Sequence, residues 1–189
     1  VPKLAFEIAN RINEVMPITP ISLVTLAMLG DDRPSLDFTE IHDLVRPYVA
    51  EAADRGLPST TKEPLDDRAV VGSAIDELVV HGIVNRQVDG EVIRYGIAPE
   101  SQLAAAYYRN MVIHFFVAGA VAELALAGMD GAEGEPVDAV FAEARRIRRV
   151  LLFEFFFAGR DEYDAVIAGE IDRRCADWRD LVAAGEVAS

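Results

Sequence analysis

Gln102-Leu-Ala-Ala-Ala-Tyr107-Tyr-Arg109-Asn110-Met-Val-Ile-His114-Phe-Phe-Val-Ala-Gly-Ala-Val-Ala-Glu123-Leu-Ala-Leu-Ala127 is the longest apolar run in a chain of 189 residues, and no proline or turn dipeptide interrupts it. Its reading decides the fold. Laid out at about 100° per residue, Tyr107, Met111, His114, Ala118, Val121 and Ala125 share one face, and Arg109, Phe116 and Glu123 fall on another. Apolar side chains thus surround nearly the whole run, which predicts one buried helix that neighbouring segments, or lipid, must cover.

The covering segments are legible on the amino-terminal side. Leu4, Ile8, Ile12 and Val15 repeat at helical spacing until Pro17 and Pro20 end that helix and open another. Thr19 is placed to cap a helix from Ile21 to Leu29, with Pro20 in its first turn and Gly30 closing it. Asp37 and Glu40 form a capping-box pattern before the amphipathic set Ile41, Leu44, Val45, Tyr48 and Val49, which Gly56 ends. A breaker-rich link from Leu57 to Pro64 precedes a third helix carrying Val71, Ile75, Leu78 and Val79, stopped at Gly82. Two β-rich runs, Ile83 to Val88 and Glu91 to Ile97, flank Asp89-Gly90, a strong hairpin signal.

Helices followed directly by a hairpin predict a winged-helix-like half over residues 1–99, and a long-helix half over residues 100–189 around the central run. The fold expected is mainly α with a small β-hairpin. In the second half, Gly128 to Pro136 reads as an acidic, glycine-rich loop. Val137, Val140, Phe141, Ala144, Ile147 and Leu151 then form a helical stripe. Arg145, Arg146, Arg148 and Arg149 lie largely off that stripe. Leu151 to Phe157 holds more aromatic bulk than one face buries, and Gly159 breaks it. A last helix is expected through Tyr163, Val166, Ile167, Ile171, Cys175, Trp178 and Val182, ending at Gly185.

Composition narrows the function. Eighteen basic and 32 acidic residues leave a net charge of −14, which opposes a nucleic-acid partner. Residues 62–82, where a winged helix would read DNA, set Lys62 and Arg68 against Glu63, Asp66, Asp67, Asp76 and Glu77, a balance of −3. The lone Cys175 makes no internal disulfide and fits a reducing compartment. Met111 to Ala127 is too short and too polar, with His114 and Glu123, to read as a membrane span. The start Val-Pro-Lys shows no signal peptide and suggests a fragment.

Read as strings, several segments are similar to one family. Tyr107-Tyr108-Arg109-Asn110 followed by Ile113-His114-Phe115-Phe116-Val117 resembles a segment in the C-terminal part of bacterial, actinobacterial-like glycerol-3-phosphate acyltransferases. So do Arg11-Ile12-Asn13 with Pro17-Ile18-Thr19-Pro20 and the Leu-Val-Thr-Leu-Ala-Met-Leu helix, Ile97-Ala98-Pro99 before Gln102-Leu103, and Leu152-Phe153-Glu154-Phe155-Phe156-Phe157. They occur in the family's order, over residues 3 to about 165. The resemblance implies the C-terminal region of an enzyme that places the first acyl chain on sn-glycerol 3-phosphate, from acyl-CoA or acyl-carrier protein, at the start of phospholipid synthesis. It further implies an upstream catalytic domain as partner, no cofactor, and a peripheral place on the cytoplasmic face of the membrane.

The family draws its general base from a His with an Asp five positions on. Here Pro47 follows His42, Arg86 follows His81 and Gly119 follows His114 at that spacing, so no residue is assigned a catalytic role. His42-Asp43 is too sparse for a metal site, and none is expected. Asn110 and His114 stand one helical turn apart, as a hydrogen-bonded core pair or as a substrate contact. Arg109 is placed either to meet a phosphate or acidic interface, or to pair with a buried Glu123 or Glu154. Arg145, Arg146, Arg148 and Arg149 beside Phe155, Phe156 and Phe157 match an interfacial membrane helix, a domain interface, or an ordinary solvated basic face. The alternative function is a dimeric winged-helix transcriptional regulator.

Overall fold

The computed structural model describes residues 4, 8, 11–13, 15–128, 135–155, 157 and 159–185, the side chain at 161 excepted. It is mainly helical, with one small three-stranded antiparallel sheet. The chain divides into two compact units, Val1–Ile113 and His114–Ser189.

The first unit is built around helix α1, Pro20–Leu29. Thr19 is extended, its side chain accepts from the Ser22 amide at 3.1 Å, and its own amide donates back to Ser22 Oγ at 3.1 Å. This reciprocal cap satisfies donors that the first turn leaves orphaned. Every residue from Ser22 to Met28 is buried. The two hydroxyls in that run are accommodated because Ser22 donates to Thr19 O at 2.7 Å and Thr25 to Ile21 O at 2.9 Å.

Helix α2, Phe38–Asp54, opens on the expected capping box: Asp37 accepts from the Glu40 amide at 2.9 Å and Glu40 from the Asp37 amide at 2.7 Å. Helix α3, Arg68–Val80, is capped by Asp67 and turns inward Val71, Ala74, Ile75 and Leu78. The predicted hairpin is present as β2, Val84–Asp89, and β3, Val92–Ile97, paired from Val84↔Ile97 to Asp89↔Val92. Gly90 makes the turn at φ 63°, a backbone region closed to most side chains.

A third strand was not expected from the sequence. Leu36–Asp37, β1, pairs antiparallel with β3 through Leu36↔Tyr95 and Asp37↔Arg94, giving the order β1-β3-β2. It is held from the side: Arg94 Nε donates to Ser35 Oγ at 3.0 Å and Nη2 to Ser35 O at 2.7 Å. The crossing is close. A Cβ on Gly96 would stand 2.6 Å from Pro34 O.

The central run is two helices rather than one. Helix α4, Gln102–Asn110, belongs to the first unit and packs along α1, while α5, Ile113–Ala127, opens the second. Between them the Met111 and Val112 amides bond back only three residues, to Tyr108 O and Arg109 O, both at 3.1 Å. Asn110, Val112 and Ile113 are weak helix formers, so a tightened turn there costs little. Nor is the run covered all round: in α4 Leu103 is 86% and Tyr107 68% exposed.

In the second unit α5 buries Phe115, Phe116, Val117, Gly119, Val121, Ala122 and Ala125. Helix α6 is Pro136–Leu151 and α7 is Arg160–Arg174. The expected last helix is also broken. Cys175 leaves α7 in an extended conformation and α8, Trp178–Ala183, restarts after it. Trp178, 1% exposed, meets Phe141 edge-on at 6.0 Å and donates from Nε1 to Asp172 at 2.6 Å. Residues 129–134 of the expected acidic loop lie outside the described residues.

The close crossing at Gly96 yields a test of the sheet. Gly96→Ala forces the Pro34 carbonyl to retreat and should cost about 1–3 kcal/mol, the usual range for overpacking. An unchanged unfolding midpoint for this variant would show that the loop gives way freely.

Candidate functional site

The candidate residues of the first unit sit at the end of α4. Arg109 folds onto its neighbour, donating from Nε and Nη2 to Asn110 Oδ1 at 3.1 and 3.0 Å. The expected carboxylate partners take no part in these bonds. Glu123 instead pairs with Arg174 at 3.2 Å within the second unit, and Glu154 is exposed. His114 begins the second unit, its ring centroid 4.1 Å from that of Phe115.

Arginines on α6 are drawn largely into the second unit's own interactions. Arg145 grips Asp164 on α7 through both Nε, at 3.0 Å, and Nη2. This bidentate contact raises the Arg145 pKa. Arg146 holds Glu143 one turn back at 2.7 and 2.6 Å, and its hydrogen bonds lower the Glu143 carboxyl. Arg148 lies over two rings, 5.2 Å from the centre of Tyr163 and 5.9 Å from that of Phe157. Arg149 is exposed.

The aromatics divide in the same way. Phe157 is 8% exposed and packs edge-on against Tyr163 at 5.7 Å and Phe155 at 6.5 Å. Phe155 is half-buried, and Phe156 lies outside the described residues. Phe153, by contrast, is 97% exposed beside exposed Val150 and Leu152. Sequence periodicity ranks these three no differently from their neighbours; only the chain turning at the end of α6 separates them.

A candidate base would need an imidazole nitrogen facing a substrate. His42 Nε2 instead lies 2.8 Å from Asp66 O, and since a carbonyl only accepts, that nitrogen carries the proton and donates it. Its ring stacks on Phe38, and the Arg68 guanidinium also lies over the Phe38 ring, 4.5 Å from its centre. His42 therefore pins α2 to the turn before α3. Among the described residues no group of three or more His, Cys, Asp or Glu is placed to hold a metal.

Open clefts among the described residues of the first unit include two of similar size. One of about 720 Å³ runs between α2 and the 57–66 link, floored by Val49, Ala53, Leu57 and Leu65. The other, of about 700 Å³, is bounded by the 31–36 loop, the sheet and Gln102, with Asn85 and Gln87 in its wall. Asp31 at its rim is held down to about 2 by the side-chain hydrogen bonds of Arg33.

This is a helical scaffold whose conspicuous polar groups serve its own architecture. The chain belongs to the glycerol-3-phosphate acyltransferase C-terminal region family, whose model matches residues 1–186. It is 36% identical over 174 residues to proteins of Mycobacterium tuberculosis and Mycobacterium bovis provisionally named acyltransferase plsB1. That match covers 90% of this chain and 28% of each relative. A glycerol-3-phosphate acyltransferase of Pseudomonas paraeruginosa is 30% identical over 114 residues, 60% of this chain and 13% of its own length. The chain thus spans less than a third of the length of the curated relatives it matches.

Tyr163 gives this unit an alkaline limit. Its hydroxyl donates to Ala144 O at 3.1 Å, and burial pushes its pKa up to about 12, with the Arg148 charge opposing. The folded state thus keeps a proton that the unfolded chain releases near pH 10. Stability present below pH 10 is lost as pH rises toward 12. Tyr163→Phe should remove that component of alkaline unfolding at a cost of about 1 kcal/mol near neutrality. Superimposable alkaline melting curves for the two proteins would show that this hydroxyl does not titrate against folding.

Proposed function

We propose that this chain is the non-catalytic C-terminal region of a longer glycerol-3-phosphate acyltransferase, packing against the catalytic domain that precedes it. The observation that carries the reading is the family match from residue 1 to residue 186, over relatives more than three times as long. The whole enzyme would transfer an acyl group from acyl-CoA or acyl-carrier protein to sn-glycerol 3-phosphate. The substrate hydroxyl has to lose its proton as it attacks the thioester carbonyl. His42, the nearest approach to a His-Asp pair in this sequence, spends its Nε2 proton on Asp66 O. The base therefore belongs to the upstream domain.

The helix, strand and hairpin order of the first unit, α1-β1-α2-α3-β2-β3, supports a winged-helix arrangement used as a scaffold. DNA reading is not favoured. Asp67 is spent on the cap of α3 and Arg68 on the Phe38 ring, and the relatives' names lend the transcriptional-regulator alternative no support.

A peripheral seat on the cytoplasmic face of the membrane is the second part of the proposal. No helix among the described residues is long and apolar enough to span a bilayer. What supports surface contact is the exposed cluster Val150, Leu152 and Phe153 next to exposed Arg149, an apolar wedge with a cation for a headgroup.

Two outcomes follow. The purified 189-residue chain should hydrolyse or transfer no acyl-CoA above the buffer rate, and turnover by it would place catalytic groups within this region. Phe153→Ser in the full-length enzyme should weaken co-sedimentation with anionic vesicles while shifting stability by no more than about 0.5 kcal/mol, as for an exposed site. Unchanged co-sedimentation would remove this wedge from the membrane reading.

A further inference from the structure

The amino-terminal helical residues carry an apolar face that the first unit does not cover. Leu4 is 63% exposed, Ile8 50%, Ile12 52% and Val15 72%. Spaced by four, four and three residues, they lie on one stripe of a helix. Three residues on, Ile18 is 0% exposed and held on both sides, its amide donating to Pro58 O at 2.8 Å and its carbonyl accepting from the Thr60 amide at 3.0 Å. The stripe therefore ends on a firmly anchored residue of the first unit. Four aliphatic side chains in a row, half to three-quarters exposed, form the kind of contiguous patch that marks an interaction site.

We infer that the Leu4-Ile8-Ile12-Val15 stripe is the surface on which the preceding, catalytic part of the same polypeptide packs. This rests on the reading of the chain as the C-terminal region of an acyltransferase. Two observations choose that occupant. The matched stretch is 28% of the relatives' length and the family is defined as a C-terminal region, so in the family most of the polypeptide precedes these residues. A covalently attached partner meets the stripe at high effective concentration, needing no large contact area to stay bound. The second is charge. Residues 4–15 hold Arg11 against Glu7 and Glu14, a balance of −1. A helix that lies on an anionic membrane carries Lys and Arg along its polar face instead. An uncharged aliphatic centre with sparse polar flanks is the pattern of a protein interface.

The test is hydroxyl-radical footprinting of the full-length enzyme, on a preparation that is also assayed for acylation of glycerol 3-phosphate. Val80 and Val88, 81% and 76% exposed, serve as internal references. The expected result is at least about tenfold lower reactivity of Leu4, Ile8, Ile12 and Val15 than of the references after correction for intrinsic reactivity, as for an interface core. That protection should persist through roughly 100-fold dilution, which an intramolecular contact is indifferent to. The double variant Ile8→Asp with Ile12→Asp should restore the reactivity of Leu4 and Val15 to that of the references, while Ile8→Val should not.

Four results would overturn the inference. Stripe reactivity equal to that of Val88 in an acylating preparation removes the surface and leaves the acyltransferase reading intact. Protection lost on dilution assigns the stripe to a second copy of the chain. Protection acquired only with phosphatidylglycerol–phosphatidylethanolamine vesicles assigns it to lipid. Absence of glycerol 3-phosphate acylation removes the reading itself, and the inference with it.

Discussion

The passage of Pro34 across Gly96 is the constraint on which the first unit's architecture depends. With no Cβ at position 96, the Pro34 carbonyl enters space that any side chain would fill. That approach lays Leu36 and Asp37 beside β3 and starts α2 immediately after the strand. Around it runs a polar relay. Arg94 binds Ser35, Glu40 accepts from the Asp37 amide at 2.7 Å and from Arg33 Nη1 at 2.5 Å, and Arg94 Nη2 reaches the same carboxylate at 3.5 Å. The ion pairs are half-exposed and screened by solvent, and the capping box contributes about 1 kcal/mol. Their main effect is directional. They fix the register that drives Leu36, Ile41, Val45 and Tyr95 into the core, where burying each large side chain is worth about 1.5–3 kcal/mol.

Helix α1 shows which sequence signals survive tertiary packing. Its Thr19 cap, the Asp37–Glu40 box, the Gly82 stop and the Asp89-Gly90 turn all act over four residues or fewer, so they are readable from the string and all are present. A strand of two residues has no period to read. β1 exists because residues almost sixty positions downstream meet it, and no local pattern announces that. The break at residues 110–113 was hidden for a related reason. Unbroken hydrophobicity does not report continuity, and a tightened three-residue turn needs no glycine or proline. The gap at Cys175 is similar: Tyr163 to Val182 keep helical spacing through it because both α7 and α8 pack on α6, without forming one rod.

The candidate residues were less legible than the fold. Sequence alone identified the arginine row on α6 and the aromatic run after it, but not the destination of each. Asp164 lies nineteen residues from Arg145, and Tyr163 stands between Arg148 and the Ala144 carbonyl only because α7 folds back on α6. Phe155 and Phe157 turn toward that same corner, whereas Phe153 is left outside it. The missing His-x4-Asp pair, in contrast, was legible at once, since a spacing needs no structure to be checked. Family membership was carried by short strings in order, a kind of information that composition and periodicity do not hold.

The internal use of these arginines limits what they offer to an approaching surface. Arg145 and Arg146 are paired at contact distance with Asp164 and Glu143, and Arg173 and Arg174 share Glu170, which is 5% exposed, with Glu123 also on Arg174. A pair closed at that range projects little field into solvent, and the formal charge of −14, which already counts these cations, is carried by the acidic residues left over. Beyond about 8–10 Å salt screens most of the repulsion between this net-acidic chain and an anionic surface. Inside that distance the contact is decided by what protrudes. At the end of α6 the protruding groups are Phe153, Leu152, Val150 and the Arg149 guanidinium, so any membrane seat at this corner is apolar insertion first and charge attraction second. Binding of that kind is weakened little by salt and strongly by loss of one aromatic ring, the opposite of what a basic stripe would give.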